Sequence, residues 1–213
     1  MKIVGIVGPA ESGKTNLIIS LIQELKSRGR KCGVLKRADH PIELDVEEKD
    51  SYRLQAGGAE QVAVLTPEKF FLIKKGHQKD SWLSLGLEYF ASVDILFIEG
   101  GKREIGLKKV LVATKPEDIN LLPDKEDLIA LVCEKEFTSA FPVFRPHQAR
   151  ELADYLWNSV PPLEPLVYLQ VDGTAIPLNP FVASMFQEII TAMLRPLKGI
   201  PESPHTICVT LKK

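Results

Sequence analysis

Gly8-Pro9-Ala10-Glu11-Ser12-Gly13-Lys14-Thr15 decides the reading of this 213-residue chain. The octet fits G-x-x-x-x-G-K-[ST], a phosphate-binding loop. Gly8 and Gly13 let the backbone curl so that successive N–H groups face phosphate oxygens. A helix beginning at Gly13 or Lys14 aims the positive end of its dipole at the same place. In that geometry Lys14 reaches the β- and γ-phosphates, and the Thr15 hydroxyl ligates Mg²⁺. The flanking residues agree. Lys2 to Val7 is a short apolar run that predicts a buried strand. Leu17, Ile18, Leu21, Ile22 and Leu25 recur at helical spacing to predict a helix over 14–28, stopped at Gly29.

Beyond that helix, Lys31 to Lys36 predicts a second strand, completing a right-handed βαβ unit with parallel strands. It delivers Lys36-Arg37-Ala38-Asp39-His40 to the carboxyl edge of the sheet, where ligands of open α/β sheets bind. Residues 41–60 are polar and irregular, with a short helix predicted over 51–55 that carries Asp50 and Arg53 near its start. A loop of that length is either solvated or functional. Gln61 to Leu65 and Lys69 to Lys74 predict two further strands around Thr66-Pro67-Glu68. A helix is expected from Trp82 to about Ser92.

Asp94-Ile95-Leu96-Phe97-Ile98-Glu99-Gly100-Gly101 reads as a fully buried strand with an acid at each end. Five residues at ~3.3 Å each separate the two carboxylates by about 16 Å. A parallel neighbour of the first strand presents Glu99 beside the phosphate loop and Asp94 at the opposite rim. Glu99 is therefore the candidate to polarise water or hold the metal shell, with Lys14 as its catalytic companion. Strands at 108–113, 128–133 and 142–144 and a helix over 146–159 continue an α/β layered pattern. Thr114-Lys115-Pro116-Glu117-Asp118 partly matches N/T-K-x-D. Thr114, Lys115 and Asp118 are thus candidates to read a guanine base, against the alternative of an ordinary lysine-rich turn.

Lys+Arg total 27 against 28 Asp+Glu, a net charge of −1 that offers no basic field for nucleic acid. Cys32, Cys133 and Cys208 fit neither a zinc pattern nor a disulfide framework, and the four histidines show no metal-ligand spacing. No apolar run approaches the ~20 residues of a membrane span, and the apolar start is too short and too glycine-broken for a signal peptide. A cytoplasmic protein without membrane attachment is expected.

From Pro161-Pro162 and Pro165 onward the pattern changes. A strand over 167–171, a turn at Asp172-Gly173, a strand at Ala175-Ile176, a helix capped by Asn179 with Pro180 at its first position, and a strand over 206–211 are predicted. Val182, Met185, Phe186, Ile189, Ile190 and Met193 share one apolar face. Such a short module has too little core to stand alone and needs a surface to pack on. The expected organisation is a nucleotide-binding domain over residues 1–160 and a small α+β appendage over residues 165–213. The expected fold is a P-loop NTPase, α/β, with a mostly parallel sheet flanked by helices.

With these elements in place, the chain resembles the molybdopterin-guanine dinucleotide biosynthesis adapter proteins, protein B of that pathway. The resemblance covers roughly residues 1–160. It is carried by the phosphate loop, by Val34-Leu35-Lys36 with His40, by Lys49-Asp50-Ser51-Tyr52-Arg53 before Ala56-Gly57-Gly58-Ala59, and by Ile98-Glu99-Gly100-Gly101-Lys102. It implies GTP and Mg²⁺ as ligands, weak GTP hydrolysis, a homodimer, and partnership with the nucleotidyltransferase (protein A of the pathway) that joins GMP to molybdopterin. Molybdopterin itself is implied as a bound substrate. Lys36, His40, Asp50, Arg53, Gly100 and Lys102 would line a substrate or switch face. The chain departs from the family pattern by keeping one histidine after the second strand and by placing Gly101 where an aromatic is common. A small-molecule kinase or an ATP-dependent ligase on the same fold is the alternative, because fold alone does not separate these activities.

Overall fold

Short runs rich in apolar and β-branched residues make the strands of this computed structural model, which describes residues 1–38, 49–74, 82–135, 138–163, 167, 169–171, 174–176, 178–201, 204, 207 and 209. In chain order the elements are β1 (Lys2–Val7), α1 (Lys14–Ser27), β2 (Cys32–Lys36), α2 (Asp50–Ala56), β3 (Gln61–Leu65), β4 (Phe70–Lys74), α3 (Trp82–Tyr89), β5 (Ile95–Glu99) and β6 (Lys109–Val112). A 3-10 helix (Pro116–Leu121), β7 (Leu128–Val132), β8 (Val143–Phe144), α4 (Ala149–Ser159), β9 (Leu169–Val171), β10 (Thr174–Ile176) and α5 (Pro180–Leu194) follow. The chain clusters into two units: Met1–Arg37 with Trp82–Lys213, and Ala38–Ser81.

The larger unit is built on a six-stranded sheet of order β2-β5-β1-β6-β7-β8, and every pairing in it is parallel. Alternate residues of each strand face opposite layers. Ile95 and Phe97 therefore join Val4, Ile6, Val110 and Val132 beneath α1 and α4, which supply Leu17, Leu21, Leu25, Leu152 and Leu156. Leu96 and Ile98 face the other way, onto Ile3, Leu107, Trp82 and Phe90. Cover on both faces explains why β5 is apolar without alternation. Each fully buried leucine contributes about 1.5–3 kcal/mol.

Ends differ from sequence expectation by a residue or a turn. The helix expected from Pro146 begins at Ala149, because Arg145 N donates to Gln148 Oε1 at 2.7 Å and closes a turn ahead of it. The segment expected as a turn around Pro116 winds into the 3-10 helix.

The smaller unit holds α2 and an antiparallel hairpin, with Gln61 opposite Lys74 and Leu65 opposite Phe70. In the C-terminal stretch β9 and β10 pair antiparallel. The expected cap of α5 is present: Asn179 Oδ1 accepts from Val182 N at 2.9 Å. No residue of α5 is buried within the described part of the chain. The predicted strand over 206–211 lies outside the described residues except for Ile207 and Val209, which are exposed and not in a strand. His40 and the Asp172-Gly173 turn also lie outside them.

Candidate functional site

The phosphate loop leaves the carboxyl end of β1, the central strand with neighbours on both sides. Gly8 adopts φ +153°, and a Cβ there would sit 2.3 Å from the Val112 carbonyl oxygen. Only glycine lets the loop pass that close to the end of β6. Gly13, at φ +88°, turns the chain into α1, whose first hydrogen bond runs from Leu17 N to Gly13 O at 2.9 Å. Among the described residues Glu11 is the one non-glycine with positive φ, at 56°. A left-handed residue inside such a loop redirects successive N–H groups toward a common centre.

Two side chains of the loop are already engaged. Lys14 Nζ donates to the Pro9 carbonyl, folding the loop around its own ammonium. Burial pushes that amine below its ordinary range, Glu99 pulls it back up, and the charges of Lys102 and Lys36 push it down again. Thr15 Oγ1 donates to Glu99 Oε2 at 3.0 Å. The other carboxylate oxygen, Glu99 Oε1, lies 3.1 Å from Lys36 Nζ at the end of β2. The register of β5 with β1 and β2 produces this meeting, since Glu99 is level with Ile6 on one side and with Lys36 on the other. Asp94 stands at the opposite end of the strand, where its Oδ2 accepts from Lys31 N at 2.7 Å.

A hydroxyl and a carboxylate meeting beside a phosphate loop are the hard oxygen donors that Mg²⁺ takes, with water and phosphate completing its shell. The donor set fits that ion. Ser12 Oγ adds a further vacancy for a donor or acceptor: it is buried without a hydrogen-bond partner among the described residues.

Beside Pro9 an open cleft of about 430 Å³ is lined by Lys102, Thr114, Lys115, Asp118 and Asn120. Its floor is a polar turn. Asp118 Oδ2 accepts from Thr114 N at 2.7 Å, Thr114 Oγ1 at 2.8 Å and Lys115 N at 3.2 Å. Burial alone would raise this carboxyl, but the Thr114 and Lys115 hydrogen bonds outweigh it and hold Asp118 below its ordinary 3.8. One of its two oxygens is thus committed to the fold, and Oδ1 takes no part in these bonds.

The structure brings Lys14, Thr15, Lys36 and Glu99 together, with Lys102 and the Thr114–Asp118 turn at the same sheet edge. Gly100, at φ +97°, passes the Arg37 carbonyl so closely that a Cβ would lie 2.8 Å from it. Asp50 and Arg53 lie in the smaller unit, 3.6 Å apart as an exposed ion pair. Sequence reasoning missed Arg145, whose Nη1 donates to the carbonyls of Cys133 at 3.1 Å and Glu134 at 2.8 Å and to that of Lys135. One guanidinium so shapes the loop after β7. It missed Lys109 as well, for which a lysine inside an apolar strand was the available signal.

The chain matches the family described as molybdopterin guanine dinucleotide synthesis protein B over residues 3–134. A Methanocaldococcus jannaschii protein named for molybdopterin-guanine dinucleotide biosynthesis, as an adapter, is 25% identical across 99% of this chain and 97% of its own length. The Haemophilus influenzae molybdopterin-guanine dinucleotide biosynthesis adapter protein is 30% identical over 61% of this chain and 72% of its own. Among solved structures, Bacillus subtilis MobB superposes with a TM-score of 0.62 at 29% identity, covering 73% of this chain and 98% of that one. A crystal structure of molybdopterin-guanine biosynthesis protein B gives 0.61 at 25% identity, over 73% and 96% respectively.

Proposed function

The chain belongs to the molybdopterin guanine dinucleotide synthesis protein B family, and from that premise we propose that it binds GTP with Mg²⁺, hydrolyses it slowly, and assists the attachment of GMP to molybdopterin. The observation that carries this reading is the 3.0 Å hydrogen bond from Thr15 to Glu99, which joins the phosphate loop to the end of β5. Backbone N–H groups of Gly8–Thr15 and the Lys14 ammonium would hold the phosphates, Lys14 giving up its bond to Pro9 in exchange. Thr15 and Glu99 would hold Mg²⁺, which when bound would supply positive charge to offset the charge that develops on the phosphates. Glu99 then orients water against the terminal phosphate, with Lys36 keeping its carboxylate in place. We assign the Thr114–Asp118 side of the cleft beside Pro9 to the base or the pterin substrate and leave its Lys102 side to phosphate; any base reading by Asp118 falls to Oδ1. The partner nucleotidyltransferase and a homodimer complete the proposal. Apolar side chains left uncovered on β3 and β4 support self-association. Residues 165–213 we take as an appended module.

Glu99→Gln tests the reading because it keeps shape and removes charge. GTP affinity should stay within about tenfold, while single-turnover hydrolysis falls by roughly a hundredfold or more. A mutant that loses melting temperature and keeps its hydrolysis rate per folded molecule would assign Glu99 to structure instead. Preference for ATP over GTP in the wild-type chain, with fast turnover on a small acceptor, would favour the kinase or ligase.

A further inference from the structure

Lys109 is a charged residue where the fold has room only for apolar ones: it opens β6, pairs with Gly5 of the central strand, and is 2% exposed. Burying an ammonium is costly unless its hydrogens are satisfied. Here they are spent on Glu104, in the loop before β6, and on Asp127, just before β7. Lys109 Nζ donates to the Glu104 carbonyl at 2.5 Å and lies 3.7 Å from Asp127 Oδ2. Asp127 in turn accepts from Gly106 N at 2.7 Å and from Lys108 Nζ at 3.1 Å. The carboxylate of the same Glu104 is in an ion pair with Arg37, just past β2, whose backbone N donates to Glu99 O at 2.9 Å. Glu104 N closes a turn onto Gly101 O at 3.0 Å, and Gly101 takes φ +74° to permit it.

The loop held this way begins immediately after Glu99, and its tip carries Lys102. That side chain has no ion-pair partner among the described residues and lines the same cleft as Pro9 of the phosphate loop. The two anchors, one buried and one at the surface, both act on Glu104, and of the two cations on the turn they fix, Lys102 and the exposed Arg103, it is Lys102 that lines the cleft.

We propose that Lys109 and Arg37 are positioning residues which, through Glu104, hold the Gly101–Glu104 turn so that Lys102 supplies a second cation, beside Lys14, to the terminal phosphate of a bound nucleoside triphosphate. The proposal rests on the nucleotide-binding reading above and adds to it a selectivity for triphosphate over diphosphate.

Calorimetric titration of the full chain with GTP and with GDP, each with Mg²⁺, tests it. Lys102→Ala should weaken GTP about tenfold, the scale of one charge-assisted contact, and leave GDP within about twofold. Arg37→Gln and Lys109→Met should each weaken GTP by about threefold or more without affecting GDP. Neither should add to the loss when combined with Lys102→Ala, because non-additivity is the mark of residues acting through one another. Equal losses for both nucleotides, or losses that add to Lys102→Ala, would mean that the anchors only stabilise the fold, and would overturn the proposal. Should Lys109→Met fail to fold, Arg37→Gln decides alone, since its side chain is half exposed. A wild-type chain that binds neither nucleotide would defeat the nucleotide reading and this inference with it. Wild-type binding without coupling defeats the inference only.

Discussion

β5 and β4 are both five-residue strands with four apolar side chains and a charged residue last, Ile-Leu-Phe-Ile-Glu and Phe-Phe-Leu-Ile-Lys. All five residues of β5 are buried, whereas Phe70, Phe71 and Leu72 of β4 are exposed. Composition made both of them strands; neighbours decided what each became. β5 lies between β1 and β2 with helices over both faces, so its last residue is delivered to a fixed point beside Thr15. Among the described residues β4 pairs with β3 alone, and no second sheet or helix layer covers its Phe70, Phe71 and Leu72. A site that must hold a carboxylate within hydrogen-bond reach of a loop belongs on the first kind of strand. The second kind keeps its apolar side chains at the surface.

The largest expected effect separates the two strands directly. Phe97→Ala empties a fully buried place in β5 and should cost about 3–5 kcal/mol in urea unfolding. An intermediate effect comes from the Thr114–Asp118 turn, which bounds the sheet edge with hydrogen bonds instead of apolar cover. Asp118→Asn should cost about 1 kcal/mol at neutral pH. Because the folded carboxyl titrates below its unfolded value of 3.8, its contribution is fully present above that value and is lost as pH falls through the folded one. The gap between wild type and mutant should therefore close on acidification below about pH 4; a gap of constant size from pH 7 to pH 3 would show that charge is irrelevant there. The smallest effect belongs to the hairpin. Leu65→Ser, at a site 80% exposed, should shift the stability of the isolated chain by no more than about 0.5 kcal/mol. If two copies cover one another at this hairpin, the same change abolishes the concentration dependence of Tm. A loss as large as that of Phe97→Ala at low concentration would erase the contrast between the strands.

What was legible in the sequence follows the same division. Local signals carried the phosphate loop and the helix behind it, since a glycine spacing and a helical period are read without knowing the neighbours; the choice of Glu99 over Asp94 needed in addition a strand length and one assumed neighbour, a parallel first strand. The Asn179 cap was legible for the same reason. Strand order was not, because Ile6 finds Glu99 and Val110 only through register across long stretches of chain. Lys109 was missed because lysine is almost always an exposed residue; its burial is visible only once Asp127 and Glu104 are seen around it. The commitment of Asp118 Oδ2 to its own turn was equally hidden. A motif specifies residue types, and the direction of each lone pair depends on the backbone they share.

The pairing of β1 has a consequence in time. It is synthesised well before the strands it pairs with: Lys2 is level with Ile95 and Val7 with Leu111. At about 5–20 residues per second, the phosphate loop leaves the ribosome with roughly 5–20 s to wait before its flanking strands arrive. Parallel pairings between such distant segments also carry the loop-closure cost that makes folding slow. In that interval the β3 and β4 segments are synthesised as well, phenylalanines included, ahead of both strands that flank β1. The nascent chain thus carries the apolar residues of these two segments before it has the strand that brings Glu99 to the phosphate loop.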